Sequence, residues 1–185
     1  MGLGNPGREH AGTRHNVGFL VAAELSSRWG LGKPRQRFRG QLVEGRLPAS
    51  GPASERAPRV AILCPQTYMN DSGRSVGPAR GSLKVGLDRL LVVYDEIDLP
   101  FGEIRTRLGG GLAGHNGLKS LKRELGSADF LRVRVGVGRP DSTDPEIVSA
   151  HVLGRFAESP AEVAELIGRA ADEVERLVLG GEPGS

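Results

Sequence analysis

Leu90-Leu91-Val92-Val93-Tyr94-Asp95-Glu96-Ile97-Asp98-Leu99-Pro100 decides the fold. Its first five residues are apolar without alternation, the pattern of a strand covered on both faces rather than one with a wet side. The run then ends in acid. Carboxylates at the carboxyl end of such a strand stand where open α/β sheets bind ligands. Working outward, Val60 to Cys64 reads as a second buried strand and residues 36–47 as strand-like, while Glu103 to Arg107 and Leu131 to Val137 are further strands downstream. Helical spacing of Val17, Leu20, Val21, Leu25 and Trp29, with Gly30 as a stop, predicts a helix over 17–29. Further helices are predicted over Leu118 to Leu125 and, within the C-terminal segment 158–180, over Ala161 to Leu179, the latter amphipathic with an acidic outer face. The polar turn Thr67 to Gly73 leads to a weaker helix, expected to begin late or kink because Gly77 and Pro78 fall in its middle. Strands and helices mixed without a repeat predict an α/β fold: a single domain over 1–185, with a mixed central sheet and helices on both faces. Residues 48–58, rich in Pro, Ala, Ser and Gly, read as a mobile loop inside it.

A chain of 185 residues can bury a core without covalent staples. Its single cysteine, Cys64, excludes an internal disulfide and fits a reducing compartment; within an apolar strand it reads as inert. No apolar run reaches membrane-spanning length, so a soluble, cytoplasmic protein is expected. The net charge of +3 is unevenly spread: residues 1–155 carry +8 and the remainder −5. Cations cluster at Arg28, Lys33, Arg35, Arg37 and Arg39, and again at Lys119, Lys122 and Arg123. Composition leaves open whether these are solvated faces or contacts for phosphates.

Several motifs fail on inspection. Gly2-Leu3-Gly4-Asn5-Pro6-Gly7 has the spacing of the dinucleotide-binding fingerprint, and Glu24 lies near the place of its ribose-binding acid. That fingerprint needs a strand to deliver the loop and a helix N-terminus to receive the pyrophosphate, whereas almost nothing precedes Gly2 and Gly12 interrupts the segment after Gly7. A nucleotide-dependent oxidoreductase is therefore disfavoured. The glycine-dense stretch from Gly109 to Ser120 is not a P-loop, because Lys119 does not adjoin its closing glycine; its flexibility suits a long or irregular ligand. His10 and His15 are five residues apart with no cysteine pair or carboxylate cluster nearby, which misses metal-ligand spacings. Asn5, His15, Asn70, Asp95, His115 and Asn116 remain, each beside the end of a predicted element. A histidine, a strand-end carboxylate and several carboxamides are the parts of a hydrolytic site that activates water without a covalent nucleophile.

These motifs together resemble the bacterial-type peptidyl-tRNA hydrolase family. The resemblance is carried by GLGNPG and TRHNVGF near the start, by PQTYMNDSG, by YDEIDLPFGEIRTRLGGG, by GHNGLKSL, and by LRVRVGVGRP with HVLGRF after it, spanning about residues 2–156. It implies hydrolysis of the ester joining a peptide to the 3′ ribose of tRNA, releasing both for translation and ribosome rescue. It implies His15 as general base for water, Asp95 as the partner that orients it, and Asn5 beside them. His10, Tyr68, Met69, Asn70, His115 and Asn116 are implied as substrate contacts. Lys119, Lys122 and Arg123 are the first candidates for tRNA phosphates, with the acidic last helix facing away. No metal or organic cofactor is implied, and a monomer is expected. The family pattern differs at three places: the strand before the first glycine is abbreviated, His10 stands where an aromatic residue is frequent, and Leu112 where a histidine is common. The alternative is a non-catalytic RNA-binding relative, against which the joint presence of His15, Asp95, Asn5, Asn70 and Asn116 argues.

Overall fold

A computed structural model describes residues 1–47 and 57–183. Most of the loop expected over 48–58 lies outside the described residues. The elements run α1 (Val17–Arg28), β1 (Arg35–Arg37), β2 (Gly40–Arg46), β3 (Arg59–Pro65), α2 (Gly73–Leu83), β4 (Leu91–Glu96), β5 (Ile104–Leu108), α3 (Asn116–Leu125), β6 (Leu131–Gly136), α4 (Pro145–Leu153) and α5 (Pro160–Val178). Residues 36–47, strand-like throughout by sequence, divide into a tight hairpin of β1 and β2.

The strands form two three-stranded sheets, and the expected mixed pairing is met in one of them. One is antiparallel, in the order β1-β2-β3; in the other, β4-β6-β5, β4 and β6 are parallel and β5 runs against them. Extended residues 1–3 stand between the two sheets. Gly2 N–H donates to the Leu63 carbonyl at 3.2 Å and Leu3 N–H to that of Val93 at 2.9 Å, while Val93 N–H returns a bond to Met1 at 2.9 Å.

Helices cover both faces. Val93 packs with α1 and α5 residues such as Val21, Leu25, Leu166 and Val174, whereas Val92 and Tyr94 pack on the other side with Val76, Leu118 and Leu121 of α2 and α3. This is the double covering that the unbroken apolar run of β4 requires. Cys64 lies on β3, and burial pushes its thiol up to about 11, so it stays protonated and inert.

Two close approaches fix the geometry around the end of β4. A Cβ on Gly18 would fall 2.5 Å from the Leu3 backbone and from the Val93 carbonyl, so only glycine lets α1 lie directly on the strands. That contact brings the residues just ahead of α1 over the end of β4. On the other face, a Cβ on Gly73 would lie 2.4 Å from the Ser120 carbonyl, and one on Gly77 would lie 2.8 Å from Glu124 Cγ. The two glycines, one helical turn apart, form the face of α2 that meets α3. The helix accordingly starts at Gly73 and runs through Gly77 and Pro78 to Leu83 rather than beginning late. Pro78 is on the exposed side, where water replaces the hydrogen bond its ring removes.

The C-terminal helix α5 is opened by a capping box of Ser159 and Glu162 with Pro160 inside it, and buries Leu166, Ala170, Ala171, Val174 and Leu177. Its acids are partly spent on α1: Arg28 reaches Asp172 at 2.6 Å, and the Trp29 indole N–H donates to Glu175 at 2.7 Å. Helix α4 has no counterpart among the elements predicted from sequence. Its signal is Asp144-Pro145-Glu146, in which Asp144 accepts from the Glu146 N–H at 2.8 Å and Pro145 opens the first turn. None of its residues is buried, so no apolar stripe marks it.

Candidate active site

The site is built where the 3-10 turn Arg14–Asn16, the end of β4, the turn 69–71 and the start of α3 converge. His15 Nδ1 lies 2.9 Å from each carboxylate oxygen of Asp95. A carboxylate only accepts, so Nδ1 carries the hydrogen and Nε2 is left with its lone pair free, the arrangement of an oriented base.

A second imidazole meets the same carboxylate. His115 Nε2 lies 3.1 Å from Asp95 Oδ1, while its Nδ1 accepts from the backbone N–H groups of Gly117 at 3.1 Å and Leu118 at 3.4 Å. His115 is thus the N-cap of α3, and because its Nδ1 must be the bare nitrogen there, its Nε2–H points at Asp95. Asp95 is almost fully buried. Burial by itself raises its carboxyl, but the electrostatic attraction and hydrogen bonds of the His15 and His115 imidazoles outweigh it and hold the group well below the usual carboxylate range.

His15, Asp95 and His115 offer ligand atoms within 4.8 Å of one another, a grouping that sequence spacing does not reveal. It is poorly suited to a metal. Coordination through His115 Nε2 requires its hydrogen to leave for Nδ1, where two backbone donors already point.

Asn5 is buried and bonded to two neighbouring turns, those of Asn16 and Met69. Its Oδ1 accepts from the Met69 N–H at 2.8 Å, which leaves the NH2 as its free donor; no hydrogen bond of Asn5 Nδ2 occurs among the described residues. Its backbone is clasped by Asn16, whose Oδ1 accepts from Asn5 N–H at 2.8 Å and whose Nδ2 donates to the Asn5 carbonyl at 2.9 Å. Asn16 is absent from the candidates drawn from sequence, since nothing local distinguishes a carboxamide that pairs with backbone eleven residues away. Asn16→Ala leaves that buried N–H and carbonyl unpaired, and is expected to lower unfolding stability by about 2–4 kcal/mol, read as a shifted urea midpoint at constant slope.

The other candidates ring this centre at different depths. Met69 is buried, and a Cβ on Gly117 would fall 2.7 Å from its sulfur, so it packs under the start of α3. Tyr68 is 68% exposed at the rim. Asn70 and Asn116 are exposed, and the Asn70 carbonyl accepts from Arg123 at 3.1 Å. His10, on the turn before the 3-10 turn, is 3.8 Å from Glu9 and has no hydrogen bond to the His15 and Asp95 pair. Lys119 and Lys122 are exposed on α3 without an ion pair among the described residues, whereas Arg123 is committed to Asn70 and, at 3.7 Å, to Asp71.

The glycine-dense segment before α3 is pinned, contrary to the flexibility its composition suggests. Buried Arg132 on β6 donates to the carbonyls of Gly111 at 2.6 Å, Gly110 at 3.1 Å and Ala128 at 3.0 Å. On the far side of the site Arg14 reaches the carbonyls of Arg155 at 2.6 Å and His151 at 3.3 Å, fixing the turn that carries His15 against α4.

Comparison with known proteins agrees on one family. A sequence model of that family, described as peptidyl-tRNA hydrolase, matches residues 1–183. The peptidyl-tRNA hydrolase of Geobacillus kaustophilus (strain HTA426) is 46% identical over 180 residues, covering 96% of this chain and 91% of the relative. That of Rhodopseudomonas palustris (strain BisB18) is 43% identical over 181 residues, covering 98% of this chain and 85% of the relative. Among solved structures, peptidyl-tRNA hydrolase from Acinetobacter baumannii superimposes with a TM-score of 0.82 at 37% identity, covering 97% of this chain and 87% of that one.

Proposed function

The chain belongs to the peptidyl-tRNA hydrolase family, and from that premise we propose that its site hydrolyses the ester between a peptide and the 3′ ribose of tRNA by water activated at His15. The observation that carries this reading is the pair of contacts from His15 Nδ1 to Asp95, which leaves Nε2, among the described residues, as the one nitrogen of the two imidazoles around Asp95 without a partner.

In this reading, Nε2 takes a proton from water as the water attacks the ester carbonyl, and Asp95 stabilises the imidazolium that forms. The proton then passes to the ribose oxygen as the carbon–oxygen bond breaks, giving a free tRNA hydroxyl and a peptide carboxylic acid, which loses its remaining proton to solvent. The Asn5 NH2, held by the Met69 backbone, and the Asn116 side chain at the start of α3 supply donors to the carbonyl oxygen or the water. Tyr68, Met69, Asn70 and His10 line the approach of the substrate. His115 has both ring nitrogens spent, and we assign it to Asp95 rather than to the substrate. Lys119 and Lys122 take tRNA phosphates. The chain's own residues complete the site, so a monomer suffices, and we place it in the cytoplasm; no described helix is long and apolar enough to cross a membrane.

The test is release of the acyl group from an N-acetylated aminoacyl-tRNA by the intact protein. Catalytic release is expected; tRNA bound with its ester intact would instead support the RNA-binding alternative.

A further inference from the structure

The cationic stretch from Arg28 to Arg39 separates in the fold into two kinds of residue. Arg28 is saturated, reaching Glu24 at 2.7 Å, Asp172 at 2.6 Å and Glu175 at 3.3 Å. Lys33, Arg35, Arg37 and Arg39 are exposed and form no ion pair among the described residues. The only acid between residues 33 and 47 is Glu44.

Three of these cations, Arg35, Arg37 and Arg39, ride on a rigid support, the β1–β2 hairpin. Strand β1 is an edge strand paired to β2 from Arg35↔Leu42 to Arg37↔Gly40. Its turn is tight, with Phe38 and Arg39 both left-handed, at φ 53° and 52°. The Arg37 guanidinium sits 4.5 Å from the Phe38 ring centroid, and Phe38 packs against the core cluster holding Leu42 and Leu63. The tip is also tied to the site: the Arg39 carbonyl accepts from the Gln66 N–H at 2.8 Å, two residues before Tyr68 and three before Met69, which holds Asn5. Arg35 and Arg37 point to the same side of β1, about 7 Å apart along it, so the cations lead from the rim of the site down the outer edge of the sheet.

We propose that the β1–β2 hairpin is a phosphate-contacting arm for RNA, receiving the backbone of the tRNA beyond the end held at His15. The proposal rests on the substrate assigned above. Unneutralised guanidinium groups on a fixed edge repel one another and gain most from a partner with regularly spaced anions, which a phosphate backbone supplies. Charged edge strands also serve simply to block edge-to-edge pairing, and the two roles separate by experiment.

The measurement is binding of deacylated tRNA to the intact protein as a function of salt, comparing wild type, the double variant Arg35→Gln with Arg37→Gln, the double variant Arg35→Lys with Arg37→Lys, and Arg28→Gln. Each lost phosphate contact reduces the slope of log K against log salt by about 0.7–0.9 and weakens binding on the order of fivefold near 0.15 M salt. The glutamine pair is expected to lose roughly 25-fold in affinity and about 1.4–1.8 in slope, with kcat at saturating substrate unchanged. The lysine pair is expected to keep the slope, and Arg28→Gln to match wild type. A glutamine pair with wild-type affinity and slope overturns the arm and leaves the edge-protecting role. Because deacylated tRNA undergoes no reaction, a lowered slope in a protein that releases no acyl group would retain the arm while removing the hydrolase reading.

Discussion

Replacement of His15 by alanine is expected to slow acyl release from N-acetylated aminoacyl-tRNA by about 10²- to 10⁴-fold, the range a positioned general base supplies. The loss should fall on kcat, because Nε2 acts on water in the transition state and contributes little to ground-state binding. Affinity for deacylated tRNA, measured at fixed salt, is expected to persist. The substitution also strips Asp95 of its contacts from Nδ1, leaving a buried carboxylate held by His115 alone. A loss of about 1–3 kcal/mol in unfolding stability should accompany it, so the kinetic comparison belongs well below the variant's melting temperature. Turnover equal to wild type would remove His15 from the chemistry. Simultaneous loss of turnover and tRNA affinity would point to a collapsed fold rather than a missing base, and circular dichroism on the same sample separates the two.

What the sequence discloses here depends on how local each signal is. The β4 run and the amphipathic α5 are visible because burial on both faces, or on one stripe, writes itself into consecutive residues. Gly77 reads as a flaw from the chain alone and as part of a contact face once α3 is seen lying against it: Gly73, one turn earlier, must be glycine to clear the Ser120 carbonyl, and the Glu124 side chain lies over Gly77, both far along the chain. The same holds within the site. His15 and Asp95 announce themselves by residue type beside predicted element ends. The double contact of Asp95, the cap formed by His115, the clasp of Asn16 and the pinning of the glycine segment by Arg132 are pairings without a sequence period, most of them over long separations. Charge is intermediate: two cationic clusters are evident from composition, but which cations are spent depends on acids that only the fold brings near. Arg28 and Arg123 are engaged, whereas Arg35, Arg37, Lys119 and Lys122 have no ion pair among the described residues.

Asp95→Asn is expected to cost nearly as much rate as loss of the base, because the fold dictates how an asparagine must sit there. Asp95 Oδ1 faces both imidazoles, whereas Oδ2 faces His15 alone. His115 cannot change tautomer, since the N–H groups of Gly117 and Leu118 hold its Nδ1 as an acceptor. Its Nε2–H therefore claims the amide oxygen, at the position of Oδ1, and the amide NH2 takes the position of Oδ2. That NH2 points at His15 Nδ1, which must become the acceptor and shift its hydrogen to Nε2, the nitrogen that has to receive a proton from water. An isosteric change at a buried residue thus disables the base while leaving every side chain in place. The expected result is a fall in kcat on the order of 10²- to 10⁴-fold with KM little altered. Nitrogen-15 NMR is expected to find the hydrogen of His15 on Nε2 in the variant and on Nδ1 in wild type. Stability gives an independent sign. The folded-state carboxyl of Asp95 is depressed, so its contribution is present above the unfolded carboxylate value near pH 3.9 and is lost as pH falls through the depressed value. Wild type should exceed the variant in unfolding stability near neutrality, and the gap should narrow on acidification below about pH 4. A variant with intact turnover, or a gap that widens in acid, would show that Asp95 does not hold His15 in its working tautomer.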